Sequence, residues 1–333
     1  NVLVGGLAGD DITDADFNIA IGGQALGGNT VGSNSVAVGH AALLVQNPAT
    51  ATDMYNVAVG HAAGLNVTTG DQNNLIGGLA GDALTVGTKN NAFGYRALSD
   101  DTKGSKSVAI GNFTLATQNF TTATDSFNVA VGHGAGESVT TGIRNITIGG
   151  RAGDALTDAD YNVAIGTDAL STDTLGSRAV AVGTDALSTQ NFTTATDNYN
   201  IGVGYAAGQR ITSGVQNTLI GGLSGDSLTT GARNTTLGYA TLTSDTQGQY
   251  AVAIGYGALN EQNFATATNN YNVAIGYLAG ETVSTRINNV LIGGLAGDAI
   301  TDADDNVAVG MQALSTNVLG SGNVAIGKDA LLD

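Results

Sequence analysis

The sequence predicts an all-β protein, a repetitive parallel β-roll or β-solenoid built from short stacked rungs. First, a five-residue phrase (Asn, apolar, small, apolar, Gly) begins 19 times in 333 residues, and its closing Gly is present every time. Second, the phrase alternates in the way typical of a strand and is rich in β-branched residues. Third, no segment shows sustained helical periodicity. Residues 1–333 are therefore interpreted as one continuous array of 19 repeat starts and 18 complete rungs.

The repeat spacing is regular at two levels. Successive starts lie 17, 17, 21 and 17 residues apart, and this order recurs, so a super-repeat spans 72 residues. The ninth residue of each rung has the same period of four rungs, and it repeats in the order Gly, Leu, Leu, Gly throughout the chain. The starts are at 1, 18, 35, 56, 73, 90, 107, 128, 145, 162, 179, 200, 217, 234, 251, 272, 289, 306 and 323. Residues are therefore also numbered by repeat position, with the first residue of the phrase as position 1.

Within a rung, the first segment is a short strand. In the rung that starts at Asn56, Val57 and Val59 point to one side and Ala58 to the other, and we expect the two Val or Ile side chains to form the core. The invariant Gly of position 5 (Gly60, Gly204 and Gly276 among others) suits a tight turn or a close neighbour. A second short segment and a polar Thr, Asp, Gly and Asn turn complete the rung, and the Asn of position 1 is expected to stack as an amide ladder.

One chain is expected to need partners. Each rung is expected to bury only two Val or Ile side chains. Their burial is small compared with the conformational entropy cost of ordering 17 residues, which is about 25 kcal/mol. Position 8, which is Ala at Ala63, Ala207 and Ala279, accepts nothing larger than Thr in any rung. These small residues predict a tight contact with other copies, and three chains around an axis are the natural arrangement for a fibre, so a homotrimer is expected.

The phrases Asn-Val-Ala-Val-Gly-His-Ala-Ala-Gly (56–64) and Ser-Val-Ala-Ile-Gly (107–111) resemble the head repeats of trimeric autotransporter adhesins, the YadA-like β-roll. The 17-residue spacing departs from the shorter bacterial repeat and resembles related repeats of phage tail fibres and large surface proteins. The resemblance covers the whole chain. It implies a trimeric fibre with a role in adhesion, located outside the cell on a virion or a cell surface.

The 21-residue rungs carry four extra residues, which are expected to bulge as lobes. Each lobe contains the phrase Gln-Asn-Phe-Thr-Thr-Ala-Thr-Asp or a close variant. One interpretation is a repeated contact surface for a host glycan, a receptor or a neighbouring fibre, since loops on rigid scaffolds commonly bind. The other, which we favour, is a loop that folds its aromatic pair over the rung edge. The lobe residues are Pro48, Tyr55, Phe120, Phe127, Phe192, Tyr199, Phe264 and Tyr271.

Acidic loops with the phrase Thr-Asp-Ala-Asp recur 144 residues apart and are candidate Ca²⁺ sites, since Ca²⁺ prefers several carboxylate oxygens. The favoured alternative is solvated turns whose Asp side chains cap backbone groups. No other cofactor is expected. The residues are Asp14, Asp16, Asp158, Asp160, Asp302 and Asp304.

Two further columns hold chemically distinctive residues. His40, His61 and His133 all follow the invariant Gly, where copies on an axis could form a metal or anion site; a tolerant, partly exposed column is the preferred interpretation. Five cations precede a repeat start, and pairing with Asp of an adjacent rung or chain is expected there. They are Lys89, Lys106, Arg144, Arg178 and Arg233.

Composition excludes several classes. With 11 Lys and Arg against 28 Asp and Glu, the net charge of −17 argues against nucleic acid and anionic membranes as partners. The absence of Cys removes disulfides, thiol catalysis and Cys-based zinc sites. No apolar run is long enough for a transmembrane helix, and no catalytic motif occurs, so a non-enzymatic role is expected. The chain begins without Met and stops inside a repeat, which suggests a fragment or processed form of a longer fibre protein.

Three functions compete on this basis. The first is a trimeric fibre or stalk for attachment, in a phage tail or a cell-surface adhesin. The second is a self-assembling extracellular filament with lateral or end-to-end contacts. The third is a monomeric Ca²⁺- or ice-binding solenoid. The strands have no regular Thr-x-Thr column, which argues against ice binding.

Overall fold

The computed structural model describes residues 1–332 as 27 short strands, and no helix occurs in that range. The chain divides into two compact units, Asn1–Asn162 and Val163–Asp333. Each unit is a parallel β-solenoid with the 17-residue spacing, and together they contain about 19 rungs. The predicted fold class is confirmed at this level, while a homotrimer and a single uninterrupted array over 1–333 stay predictions.

In the first unit, positions 2 to 4 of successive rungs form three-residue strands that pair in parallel, residue on equivalent residue, as Val57, Ala58 and Val59 do with Asn74, Leu75 and Ile76. Two pairs of two-residue strands flank the lobes, and they also pair in parallel. The strands are Val2–Val4, Ile19–Ile21, Gly32–Ser33, Val36–Val38, Thr52–Asp53, Val57–Val59, Asn74–Ile76, Asn91–Phe93, Gly104–Ser105, Val108–Ile110, Thr124–Asp125, Val129–Val131 and Ile146–Ile148.

The second unit repeats this organisation, again with the lobe strands paired in parallel. Its strands are Val163–Ile165, Gly176–Ser177, Val180–Val182, Thr196–Asp197, Ile201–Val203, Thr218–Ile220, Thr235–Leu237, Gly248–Gln249, Val252–Ile254, Thr268–Asn269, Val273–Ile275, Val290–Ile292, Val307–Val309 and Val324–Ile326. Equivalent residues therefore stack into columns along each unit, because every rung adds to its neighbour in the same register.

The expectation about which side of the strand faces the core is wrong. Ala58 is fully buried, whereas Val57 and Val59 are partly exposed, and this pattern recurs in nearly every strand. Two chain segments of one rung face each other across a narrow interior, so the middle residue of the strand is enclosed between them. It is Ala in most rungs, and Leu75 fits because position 9 is glycine on its own rung and on the rung before it. The β-branched residues consequently form the outside of the sheet.

The Ala column of position 8 also lies inside a single chain. Ala63, Ala207 and Ala279 are each 0% exposed within their own rung. At Gly202, opposite, an added Cβ would stand 3.0 Å from the Ala207 carbonyl oxygen. The small size of position 8 is thus required by the packing of the rung itself, and the argument from this column to a contact with a second chain does not hold.

At position 9, glycine occurs where a large side chain of the same or a neighbouring rung fills the space that a larger residue would need. A Cβ at Gly64 would lie 2.8 Å from Leu75 and 2.9 Å from Leu43, and one at Gly81 would again lie 2.8 Å from Leu75. Leu75, at position 3, therefore fills the space left by two consecutive glycines. A large side chain at position 3 is thus accommodated by glycine at position 9 of its own rung and of the rung before it.

The invariant Gly of position 5 is required for two separate reasons. At Gly60 φ is +140°, a conformation that L side chains rarely adopt, and an added Cβ would lie 2.5 Å from the Gly77 carbonyl oxygen. Gly204 and Gly276 show the same conformation and the same clash with the next rung. The column is therefore glycine because the rungs touch backbone to backbone.

The Asn of position 1 forms a ladder, but through the backbone. The Asn56 Oδ1 accepts the Asn73 N–H at 2.9 Å, and the Asn56 Nδ2 donates to the Gly70 carbonyl at 2.8 Å. Asn73 repeats both bonds with Asn90 and Gly87. Each buried amide thus satisfies backbone groups of its own rung and of the next one, which is how otherwise orphaned polar groups are accommodated in the interior.

Candidate functional site

The most extensive surface feature is the outer face, defined here as the residues at positions 2 and 4 of every rung. None of these 38 residues is charged in a chain of net charge −17, and all but Asn74, Asn91, Thr218 and Thr235 are apolar. Ile76, Ile110 and Ile148 are 36–41% exposed, and most others are partly exposed. Monomeric soluble proteins rarely expose contiguous apolar surface of this kind, so the outer face is a candidate interaction surface.

A column of exposed rings borders the outer face at position 6. Tyr239, Tyr256 and Tyr277 stack on successive rungs, with centroids 5.7 and 5.6 Å apart and planes within 21° of parallel. Their exposures are 52–56%. In the first unit, His40 and His61 stack in the same way at 5.5 Å. Sequence reasoning identified the His residues but missed the Tyr stack, which was visible as Tyr recurring at position 6.

The lobes divide their aromatic residues between inside and outside. Phe120, Phe192 and Phe264 are 4–6% exposed, and Pro48 is also buried. Phe192 packs over the Gly176–Ser177 strand, where a Cβ at Gly176 would lie 2.7 Å from its ring. These four residues therefore belong to the lobe interior, not to a contact surface. The exposed aromatics are Tyr55, Phe127, Tyr199 and Tyr271, at 45–54%.

A buried carboxylate anchors three of the four lobes. Asp101 is 0% exposed. Its Oδ1 accepts the backbone N–H of Gly104 at 2.9 Å and of Phe120 at 3.3 Å, and its Oδ2 accepts the Gln118 Nε2 at 2.6 Å. The Gln118 Oε1 in turn accepts the Asn128 Nδ2 at 2.8 Å. Asp245 and Gln262 repeat this arrangement under the last lobe.

The first lobe shows why the carboxylate is present. Pro48 stands where the other lobes have Phe, and Pro has no N–H to donate. There the buried residue is Asn29, which accepts the Gly32 N–H at 3.0 Å and donates to the Gly32 carbonyl at 2.7 Å. The first lobe thus lacks both the backbone N–H that Phe donates elsewhere and the negative charge of the buried Asp. This is expected because a buried carboxylate needs several hydrogen-bond donors around it.

Desolvation dominates the protonation of these groups. Burial raises the pKa of Asp101 and Asp245 above their ordinary value of 3.8, and the hydrogen bonds from Gln and from backbone N–H groups oppose the shift in part. Lys103 donates to Asp101 through its backbone N–H at 3.3 Å, and within residues 1–332 no Lys, Arg or His side chain is hydrogen-bonded to either carboxylate. The Asp–Gln pair is thus a structural element that fastens the lobe to the rung.

The last position of the rung is a cation or an aromatic residue in most rungs, and the two alternate from Lys106 to Tyr199. Lys106 and Arg178 pair with Asp125 and Asp197 of the next rung, which confirms the expected cation–Asp pairing at these two positions. Arg144 lies 6.0 Å from the Phe127 ring centroid and 5.3 Å from that of Tyr161. Arg233 lies 5.4 Å from the Tyr250 ring, which stacks on Tyr271. The exposed lobe aromatics therefore serve partly as partners for these cations.

The acidic loops use their carboxylates to join rungs. Asp160 accepts the Ile143 N–H at 2.7 Å, and Asp304 accepts the Ile287 N–H at 2.8 Å. Asp158 accepts the Thr141 hydroxyl at 2.6 Å, while Arg286 pairs with Asp302 as well as Asp304. Asp14 and Asp16 occupy the equivalent loop of the first rung, where the Asp16 N–H donates to Ser33. Residues 1–332 contain no group of three or more His, Asp or Glu side chains placed to hold a metal ion.

Comparison with protein-family models and with curated proteins gives no match. In the described residues no helix is long and apolar enough to cross a membrane. The chain thus has three candidate functional surfaces: the outer face, the ring column beside it, and the lobes.

Proposed function

We propose that the chain forms the shaft of a homotrimeric β-solenoid fibre that attaches a virion or a cell to a host surface, without enzymatic activity. The observation that carries the proposal is the outer face. It runs along every rung of both units, it is apolar, and it contains no charged residue.

Charge supports a second copy of this chain as the occupant of the outer face. Copies with a net charge of −17 repel one another wherever their acidic residues meet. Association is least opposed through a face that has no charge at all, and burial of apolar surface stabilises it by about 25 cal/mol per Å². The sequence resemblance to trimeric adhesin heads supports three copies around an axis, with the lobes and the ring column left at the periphery for attachment.

The test is the mass of the assembly in solution. Sedimentation equilibrium of the purified chain is expected to give three times the chain mass of 33.0 kDa. Replacing Val273 and Ile275 together by Glu is expected to give a folded monomer, whereas Thr194→Glu at an exposed lobe tip leaves the trimer intact.

A stable monomer of the unaltered chain would refute the proposal, as would a trimer that tolerates both Glu substitutions. Electron microscopy separates the related alternative. Discrete particles of one length support the fibre, whereas open-ended polymers indicate a self-assembling filament.

A further inference from the structure

Besides Gly23, which is followed by His40, five glycines at position 6 recur 72 residues apart and have no explanation in the fold of the chain. They are Gly6, Gly78, Gly150, Gly222 and Gly294, one in each rung that starts at 1, 73, 145, 217 or 289. None has a positive φ, and at Gly6, Gly150 and Gly294 a Cβ would meet no atom within 4 Å. Neither the backbone nor the packing of the rung therefore requires glycine there.

These glycines follow rings. On the rung before Gly78, Gly150, Gly222 and Gly294, position 6 is an aromatic or imidazole residue in every case: His61, His133, Tyr205 and Tyr277. On the rung after Gly78 and Gly222 it is again a ring, Tyr95 and Tyr239. We call the space between two such rings, over the glycine, a ring slot.

The walls of the ring slots are supported from behind. Tyr239 stacks on Tyr256, so that only the side of its ring towards Gly222 is free. Tyr277 likewise stacks on Tyr256, which leaves its free side towards Gly294. His61 stacks on His40 and has its free side towards Gly78. The glycines thus lie where a side chain would cover the last open ring face of each stack.

The width suits one more ring. Tyr205 and Tyr239 are separated by two rungs, or about 10 Å at the spacing of neighbouring strands. Two ring contacts at the short end of the usual centroid range of about 4.5–7 Å add up to about 9 Å, which fits within such a separation. Both walls are accessible, with Tyr205 61% and Tyr239 52% exposed. Tyr239 leans over the glycine, since a Cβ at Gly222 would lie 3.4 Å from its ring.

A hydrogen-bond donor lies at the base of the ring slot. The N–H of Tyr95 donates to the Asn112 side chain on the next rung at 2.9 Å, which shows that the N–H of position 6 points along the column. The Gly222 N–H has no hydrogen-bond partner in the described part of the chain. By analogy with Tyr95, the Gly222 N–H points towards position 6 of the next rung, which is Tyr239.

We propose that the ring slots at Gly78 and Gly222 bind neutral pyranose rings of a surface carbohydrate. A pyranose presents apolar C–H faces that stack on rings and hydroxyl groups that accept a backbone N–H. The net charge of −17 disfavours anionic sugars and nucleotides. The inference rests on the proposed attachment function and assigns it a ligand class.

The experiment titrates the full-length chain with maltohexaose, cellohexaose and chitohexaose and follows tyrosine fluorescence and binding heat. Saturable binding of at least one hexasaccharide is expected. A triple variant with Gly78→Leu, Gly222→Leu and Gly294→Leu fills both ring slots and also covers the free face of Tyr277, and it is expected to weaken binding at least tenfold. Tyr239→Ala, which removes a wall without adding bulk, is expected to weaken it in the same direction.

Thr184→Leu is the matched control, because it adds the same side chain at an exposed position 6 of a rung without a ring slot. It is expected to bind as the unaltered chain does. Circular dichroism and sedimentation of every variant report folding and assembly independently of sugar binding.

The proposal is overturned if the unaltered chain binds none of the three sugars, or if the triple variant binds as well as Thr184→Leu. It is also overturned if the triple variant changes only the mass of the assembly, since the glycines then admit a second copy of the chain. A trimer that binds no sugar removes the ring-slot assignment and leaves the proposed assembly standing, whereas a monomer that binds sugar does the reverse.

Discussion

Adding a single methyl group at Gly60 tests whether the rungs are held together by backbone contact. The Cβ of Gly60→Ala would stand 2.5 Å from the Gly77 carbonyl oxygen and 2.6 Å from its carbon, whereas ordinary contact begins at 3.4 Å. The next rung would have to withdraw by about 0.9 Å, the difference between those distances. Hydrogen bonds of 2.8 Å on both sides, from Val57 to Asn73 and from Gly77 to Val59, oppose that movement.

Two costs add at this position. A non-glycine residue at a φ of +140° carries about 1–3 kcal/mol of backbone strain. Overpacking against rigid neighbours costs about 1–3 kcal/mol more. We therefore expect Gly60→Ala to lower the free energy of unfolding by about 2–6 kcal/mol, with the loss concentrated in the rungs next to the substitution, because each rung contacts only its neighbours.

Urea unfolding followed by circular dichroism gives the total loss, and amide hydrogen exchange at Ile76 and Gly77 gives its location. Gly150→Ala is the control, since it lies in the same unit, has no positive φ and meets nothing within 4 Å. It is expected to change stability by no more than about 1 kcal/mol, in the stabilising direction. A loss below about 1 kcal/mol for Gly60→Ala would refute the contact argument.

Three further predictions concern the interior. Ala207→Leu is expected to lower the free energy of unfolding by about 1–3 kcal/mol, because position 8 is fully buried. Thermal unfolding at several protein concentrations measures the effect. A destabilisation that disappears on dilution would contradict the prediction. Phe192→Ala is expected to cost about 3 kcal/mol locally and to speed amide exchange in Thr196–Asp197, whereas the exposed Tyr199→Ala costs under about 1 kcal/mol. Burial raises the pKa of Asp101 and Asp245 in the folded chain, so the folded state binds more protons than the unfolded state, and stability falls as pH rises from 3.8 through the raised pKa. Melting temperatures across that window measure the slope, which is expected to be shallower in the variant with Asp101→Asn and Asp245→Asn; an unchanged slope would show that these two groups are not its source.

The sequence was sufficient for the repeat and for its parallel stacking, because a fixed spacing of 17 residues with an invariant Gly has few other physical solutions. It was insufficient for the direction of the side chains. Alternation in Asn-Val-Ala-Val-Gly shows that Val57 and Val59 share a side, and it does not show which side is inside. The larger Val57 and Val59 were expected in the core, but the residue between them is the buried one, as is the equivalent Leu75 on the next rung.

The candidate sites depended on contacts between rungs. Phe120 and Phe127 look alike in the sequence, yet one lies under a lobe and the other beside Lys106 and Arg144. The buried Asp101–Gln118 pair was missed as well. Its signal is present at position 12, where Asp or Asn and then Gln precede each lobe, while the other rungs have an apolar residue there except the rung that starts at 306, which has Asn317.

By itself, the sequence determined the period, the strand positions, the places where glycine is obligatory and the absence of charge from two columns. The tertiary structure decided which columns are buried, since burial depends on the distance between two segments of one rung, and no local pattern encodes that distance. It also decided which rings keep a free face, because a stack on successive rungs covers its inner faces and leaves open only those beside a glycine.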